Sequence, residues 1–231
     1  MNFESKLIAG VFVKRYKRFF ADIQIKNKII TAHCPNTGSM EGLLKKGNKV
    51  WITKTNNPNR KLKYTLQIIE SNTSKVGINT HLTNKIFFEA LKKNKVKEIK
   101  KDVFIKPEVK FGDNTRFDFL VEKKNFKAFL EVKNVTLSRQ HKVAEFPDAI
   151  TARGTKHILE LLKAKKKGFK IYIIYVVQRE DCNQFKIAND IDKKYSDLLV
   201  KALKNNLNLL CYDCKFTSKG IELNNKIKIN F

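Results

Sequence analysis

Two segments carry charge where their neighbours are apolar: Arg116-Phe117-Asp118-Phe119-Leu120 and Phe129-Leu130-Glu131-Val132-Lys133. Each reads as a buried strand interrupted by a carboxylate. Taking an isolated carboxylate out of water costs several kcal/mol, so each needs a partner or a metal. Side chains alternate along a strand, which places Glu131 and Lys133 on one face, roughly 6.6 Å apart. If the two strands pair, Asp118 approaches Glu131, and the carboxylates repel unless a divalent cation sits between them. Hard oxygen ligands with open water positions suit Mg²⁺ or Mn²⁺. Such an ion polarises a phosphate oxygen and acidifies a bound water, which makes phosphodiester cleavage the matching chemistry. Lys133 is placed to position the nucleophile or to stabilise transition-state charge, and Glu89, on a preceding helix, to hold outer waters or a second ion. The competing reading is plain: a Glu-x-Lys pair on a strand is usually a salt-bridged, solvated face.

The elements that position these residues follow from the apolar pattern. Up to about residue 78 the chain reads as short strands: Leu7 to Tyr16, Phe19 to Ile25, Lys28 to His33, Lys49 to Lys54 and Tyr64 to Ser71. They are β-branched or aromatic and bounded by turn residues. Five short strands fit a small barrel, either an OB-fold or an SH3-like barrel. From Thr83 the period becomes helical, with Ile86, Phe87, Ala90 and Leu91 on one side. Strands at Phe104 to Phe111, Arg116 to Glu122 and Ala128 to Val135 come next, with turns at Asp113-Asn114 and Lys123-Lys124-Asn125. A helix is expected from Asp148 to Ala164, a strand buried on both faces from Lys170 to Val177, and a helix through Ile191, Tyr195, Leu199 and Leu203. Strands at Leu209 to Phe216 and Ile221 to Phe231 close the chain. The expected fold class is therefore α/β (α+β): a barrel over 1–80, then an αβββαβ domain over 81–231.

Charge narrows the partners. Among 231 residues, 48 are Lys or Arg and 22 are Asp or Glu, a formal net charge of +26. A compact body so charged calls for a polyanion, and DNA or RNA rewards it by releasing condensed counterions. A membrane partner is not expected, because the lysines run through the whole chain rather than along one amphipathic helix or tail. Arg15, Lys17, Arg18, Arg60, Lys61 and Lys63 interleave with Tyr16, Phe19 and Tyr64, the mixture of charge and stackable rings that suits a nucleic-acid groove. Arg153 and His157 share a helix face and suit phosphate contact. Gln178 and Arg179 end the buried strand, where ligands of α/β sheets gather. Cys34, Cys182, Cys211 and Cys214 follow no secretory signal, which suggests a reduced, cytoplasmic setting. Cys211-x-x-Cys214 lacks the second pair that zinc requires.

Ala32-His33-Cys34-Pro35-Asn36-Thr37-Gly38-Ser39-Met40 resembles the signature of the sugar fermentation stimulation protein A (SfsA) family. So do Arg15-Tyr16-Lys17-Arg18-Phe19, Arg60-Lys61-Leu62-Lys63-Tyr64, Phe146-Pro147-Asp148-Ala149, Thr151-Ala152-Arg153-Gly154-Thr155-Lys156-His157 and Val176-Val177-Gln178-Arg179. The resemblance implies an N-terminal OB-fold, a C-terminal domain similar to the PD-(D/E)XK nucleases, DNA binding and a role in regulating sugar (maltose) metabolism. In that pattern Asp118 takes the first acidic position, Glu131 and Lys133 take E-x-K, and Glu89 resembles the helix-borne glutamate. Phe117 departs from it, standing where the motif has proline. Three functional classes follow: a DNA-binding protein with a Mg²⁺- or Mn²⁺-dependent cleaving centre, a non-catalytic DNA-binding regulator on a nuclease scaffold, and an RNA-binding or RNA-processing factor.

Overall fold

The computed structural model describes residues 1–112 and 115–230. The turn expected at Asp113-Asn114 and the strand end at Phe231 lie outside the described residues. The first half of the chain contains β1 (Ile8–Tyr16), β2 (Phe20–Ile25), β3 (Lys28–His33), β4 (Lys49–Lys54), β5 (Tyr64–Ser71) and a short β6 (Ser74–Gly77). Pairing runs β3-β2-β1-β4-β5-β6, and β3 also pairs in parallel with β5, Ala32 against Tyr64 and His33 against Thr65. That seam closes the first five strands into an OB-like barrel without an open edge between them. Alternation along β2 and β4 turns Ala21, Ile23, Val50 and Ile52 inward, where they meet Phe12 and Leu66 in one buried cluster.

A one-turn 3-10 helix at Thr80–Leu82 leads into α1 (Thr83–Lys92). The remaining elements are β7 (Phe104–Phe111), β8 (Thr115–Lys123), β9 (Phe126–Val135), β10 (Leu137–Gln140), β11 (Val143–Phe146), α2 (Ala152–Lys166), β12 (Lys170–Val177), β13 (Gln184–Ile187), α3 (Lys193–Lys204), β14 (Asn208–Phe216), β15 (Ile221–Lys226) and β16 (Lys228–Asn230). The main sheet runs β15-β14-β12-β9-β8-β7. Its centre, β9-β12-β14, is parallel, and antiparallel pairs finish both sides. Strand β12 has apolar residues on both faces: Ile171, Ile173 and Tyr175 pack with α2 and α3, while Tyr172, Ile174 and Val176 pack on the side of α1. Period-two alternation thus makes one sheet the wall of two cores. Strands β10, β11, β13 and β16 form a smaller sheet beside it.

The two halves are joined by more than a linker. Met1 is buried in the core on the α1 side, its amino group donates to the Ile221 carbonyl at 2.5 Å, and Asn2 bridges to Gly220. The first residues therefore pack on the second domain. Gly77 approaches Gln178 so closely that a Cβ would stand 2.5 Å from its amide oxygen, and the Gly77 N–H donates to the Gln178 carbonyl.

The helix expected from Asp148 begins instead at Ala152. The Thr151 hydroxyl caps it by accepting from the Gly154 N–H, and the Thr151 N–H is itself held by the Asp192 carboxylate. This leaves Ile150 in a loop, 81% exposed, where the apolar spacing suggests a helix. Asp192 also caps α3 through the Tyr195 N–H, so Ile191 lies outside that helix. The last expected strand divides at Ile227 into two that serve different sheets.

Candidate metal centre and nucleic-acid cleft

Strands β8 and β9 pair from Lys123↔Phe126 to Phe119↔Leu130, and the ladder stops there. Asp118 is the next residue. Its carboxylate accepts from the Val132 backbone N–H at 2.7 Å, taking the place of a strand partner. Its other oxygen accepts from the Asn84 side-chain amide at 2.7 Å, at the start of α1. Burial pushes the Asp118 carboxyl up to about 6, and the negative charge of Glu131 adds to the shift against the hydrogen bonds and Lys133. The two carboxylates are therefore in electrostatic reach.

Glu131 sits deeper, at 2% exposure. Burial alone would raise its pKa, but the charge of Lys133 and the hydrogen bond of His157 outweigh it and hold the carboxyl below the usual range. Lys133 Nζ lies 2.6 Å from Glu131 Oε1, so the two share a face of β9. His157 Nδ1 meets the same oxygen from α2. Glu131 Oε2 is buried with no hydrogen-bond partner among the described residues. A buried acceptor without a donor costs about 1–3 kcal/mol, more when charged, and a cation supplies what it lacks.

The donor set fits a hard divalent ion. Among the described residues no group of three or more His, Cys, Asp or Glu is assembled to hold a metal. Two carboxylates with the remaining positions left to water or phosphate is the arrangement Mg²⁺ favours, since it dehydrates reluctantly. Asp118 and Glu131 would hold the ion, and Lys133 stands beside them. Cys211 and Cys214 belong to cores on opposite faces of the main sheet and cannot share one.

A cleft of about 480 Å³ adjoins this centre. Lys133 and Asn134 line one wall; Arg18 and the Asn36-Thr37-Gly38 turn of the barrel line another; Arg153 and the Phe146-to-Ile150 loop complete it. The barrel turn can come so near because Gly38 has no side chain: a Cβ there would collide with the Asp148 carboxylate, which instead accepts from the Ser39 N–H at 3.1 Å. Arg18, Lys17, Lys61 and Arg153 are exposed and without a carboxylate partner among the described residues. They are available to phosphate.

Several expected site residues are employed elsewhere. Glu89 points away from the pair, into ion pairs with the Met1 amino group at 3.1 Å and Lys93 at 3.9 Å. Its helical position leaves Asn84, more than a turn earlier, to meet Asp118. Arg15 is spent on the barrel turn, donating to the carbonyls of Asn36, Gly38 and Arg18. Lys63 donates to the Asn57 and Pro58 carbonyls. His157 is buried behind Glu131 and positions it without facing the cleft. Gln178 is fully buried, donating to Thr83 and Asn134 at the junction of the two halves. Arg179 is 4% exposed, clamped by Asp181 and the Thr136 carbonyl. Asn84 is the participant that residue type did not mark: an Asn in a first helical turn is ordinary, and only the tertiary contact distinguishes it.

Comparison with known proteins agrees with this architecture. The sequence profile described as "SfsA N-terminal OB domain" matches residues 13–78, and that described as "Sugar fermentation stimulation protein RE domain" matches residues 81–220. A sugar fermentation stimulation protein homolog of Pelagibacter ubique is 55% identical over 229 residues, 99% of each chain. Another, of Bdellovibrio bacteriovorus, is 41% identical and covers 98% of both. The solved structure described as "The structure of Pyrococcus Furiosus SfsA in complex with Ca2+" superposes with a TM-score of 0.90 at 26% identity, covering 100% of this chain and 98% of that one. With both halves matched by profiles, and relatives aligned from end to end, the chain belongs to the sugar fermentation stimulation protein family.

Proposed function

We propose that this protein binds DNA in the cleft between barrel and sheet and cleaves it at a Mg²⁺- or Mn²⁺-dependent centre built on Asp118, Glu131 and Lys133. The observation that carries the reading is the buried, unpartnered Glu131 Oε2 in reach of a second carboxylate. Carboxylates converging on a phosphate path repel the ligand, so a site meant only to bind would not want them. The related Pyrococcus furiosus protein was solved with Ca²⁺, a divalent ion with the same preference for oxygen. When bound, the ion would acidify a water and polarise the phosphate. The chain's own residues have separable tasks. Asn84 and the Val132 N–H fix the Asp118 carboxylate; His157 fixes that of Glu131; Lys133 lines the cleft and would bring positive charge to a phosphate oxygen as it gains negative charge. Arg18 and Arg153, which line the cleft, neutralise the backbone there.

One observation favours a second reading. Lys133 Nζ is already bonded to Glu131, which suits a scaffold whose charges satisfy one another. On that reading the protein is a non-catalytic DNA-binding regulator of sugar (maltose) metabolism. Incubation with single- and double-stranded DNA and RNA, in Mg²⁺, Mn²⁺ or chelator, separates the two. Cleavage that needs the metal and disappears in Asp118→Ala and Lys133→Ala supports the centre. Tight binding of every substrate with no cleavage of any supports the scaffold.

A further inference from the structure

A second cavity, of about 850 Å³, opens on the other side of the barrel turn. Its partition from the cleft is made of adjacent residues: Asn36 and Thr80 line the cleft, whereas Pro35 and His81 line the cavity. Thr80 holds the partition together, donating to the Pro35 carbonyl through both its N–H and its hydroxyl.

The walls are positive. His33 faces Thr65 across the seam that closes the barrel, and Arg60 donates to the Thr65 hydroxyl at 3.1 Å, so both are fixed at one place. His81 enters from the start of the second domain, and Lys54 and Lys85 stand at the rim. The carboxylate lining this cavity is Glu4, which is 88% exposed and 3.6 Å from Lys85. Among the described residues no acid pairs with Arg60, His33, His81 or Lys54. The floor is neutral and rich in polar groups: buried Asn79 donates to Gln67, and Gln67 to Thr53. Burial lowers the pKa of His33, and the positive charges of Arg60 and His81 lower it further. Like charges gathered over hydroxyls and amides, with one exposed acid at the edge, describe a receptor for an anion.

We propose that this cavity binds a phosphate monoester through Arg60, His33 and His81. Its place one short turn from Asn84, and hence from Asp118, makes the end of a nucleic-acid strand the favoured source; that assignment rests on the proposed function, while the anion site does not. A free nucleotide or inorganic phosphate presents the same group.

Fluorescence anisotropy on oligonucleotides ending in 5′-phosphate, 3′-phosphate or hydroxyl tests the strand end. A terminal phosphate should strengthen binding about tenfold, and the gain should vanish in Arg60→Gln. His81→Gln, at an exposed position, guards against a folding defect and should diminish it too. Imidazole resonances of His33 and His81, followed as inorganic phosphate or a nucleoside monophosphate is added at fixed pH, test the anion site directly: both should shift on binding, because the anion would lie against both rings. Histidine shifts without a strand-end preference would assign the cavity to a small phosphate ligand. Equal affinity for all termini together with histidines indifferent to phosphate overturns the proposal. Asp118→Ala should retain both effects, so loss of cleavage and loss of this site are distinguishable.

Discussion

Asp118→Asn should make the metal-free protein more stable at neutral pH, although it damages a well-bonded site. A carboxyl whose pKa is raised by folding binds its proton more tightly in the folded state. The penalty is thus absent below the unfolded value of 3.8 and complete above about 6. That rise corresponds to about 3 kcal/mol, withheld from the folded state at pH 8. Asparagine has no charge to bury, but it offers one acceptor where Asp118 uses two, for Val132 N–H and the Asn84 amide. That loss costs about 1 kcal/mol at every pH. The variant should therefore be less stable than the parent by about 1 kcal/mol at pH 3, equal to it at about pH 4.5, and more stable by about 2 kcal/mol at pH 8. Urea unfolding of both proteins across this range, with chelator, measures the difference. Added Mg²⁺ should reverse the order at pH 8, because a ligand at a hundredfold excess over its Kd stabilises only the protein that binds it, by about 2.7 kcal/mol. A difference between the two proteins that does not change with pH would refute the electrostatic account of the pair.

Three other outcomes follow from the same contacts. His157→Ala should weaken cation binding about 10–100-fold by freeing Glu131, read by Mn²⁺ titration, with His157→Gln recovering part of it. Glu89→Gln should leave cleavage unchanged and cost about 1 kcal/mol of stability, since it removes the charge paired with the buried Met1 amino group, while the pair with Lys93 is exposed. Arg153→Ala should keep the folding free energy and reduce the slope of log K against log salt by about 0.9, whereas Arg179→Ala, which empties a buried clamp, should cost about 2 kcal/mol of stability or more.

The elements with strong periodicity were legible in the sequence. The five barrel strands, the two-faced β12 and the apolar side of α1 follow from residue spacing, because burial on one face or on two leaves its own pattern. Strands β6, β10, β11, β13 and β16 are three or four residues long, too short for alternation to register, and β13 and β16 depend on pairing partners about 40 residues away. The α2 boundary misled for a local reason: Asp148, Ala149 and Ile150 look like a cap followed by helix, yet Asp148 is drawn off to the barrel turn and Thr151 caps instead. At the site, Asp118, Glu131 and Lys133 stood out because charge among Phe, Leu and Val is conspicuous. Basic residues did not reveal which of them were free. Arg15, Lys63 and Arg179 look like groove residues in sequence, but backbone carbonyls and an aspartate take their hydrogen bonds. Residue order carries no distance between a guanidinium and a carbonyl far along the chain.

Manganese binding, counted by electron paramagnetic resonance of the free ion in the parent protein, Asp118→Ala and Glu131→Gln, bears most directly on the paired carboxylates. One tight ion per chain that is lost in both variants is the expected result. No binding in the parent, or binding that survives in both variants, would contradict a metal centre between these two side chains.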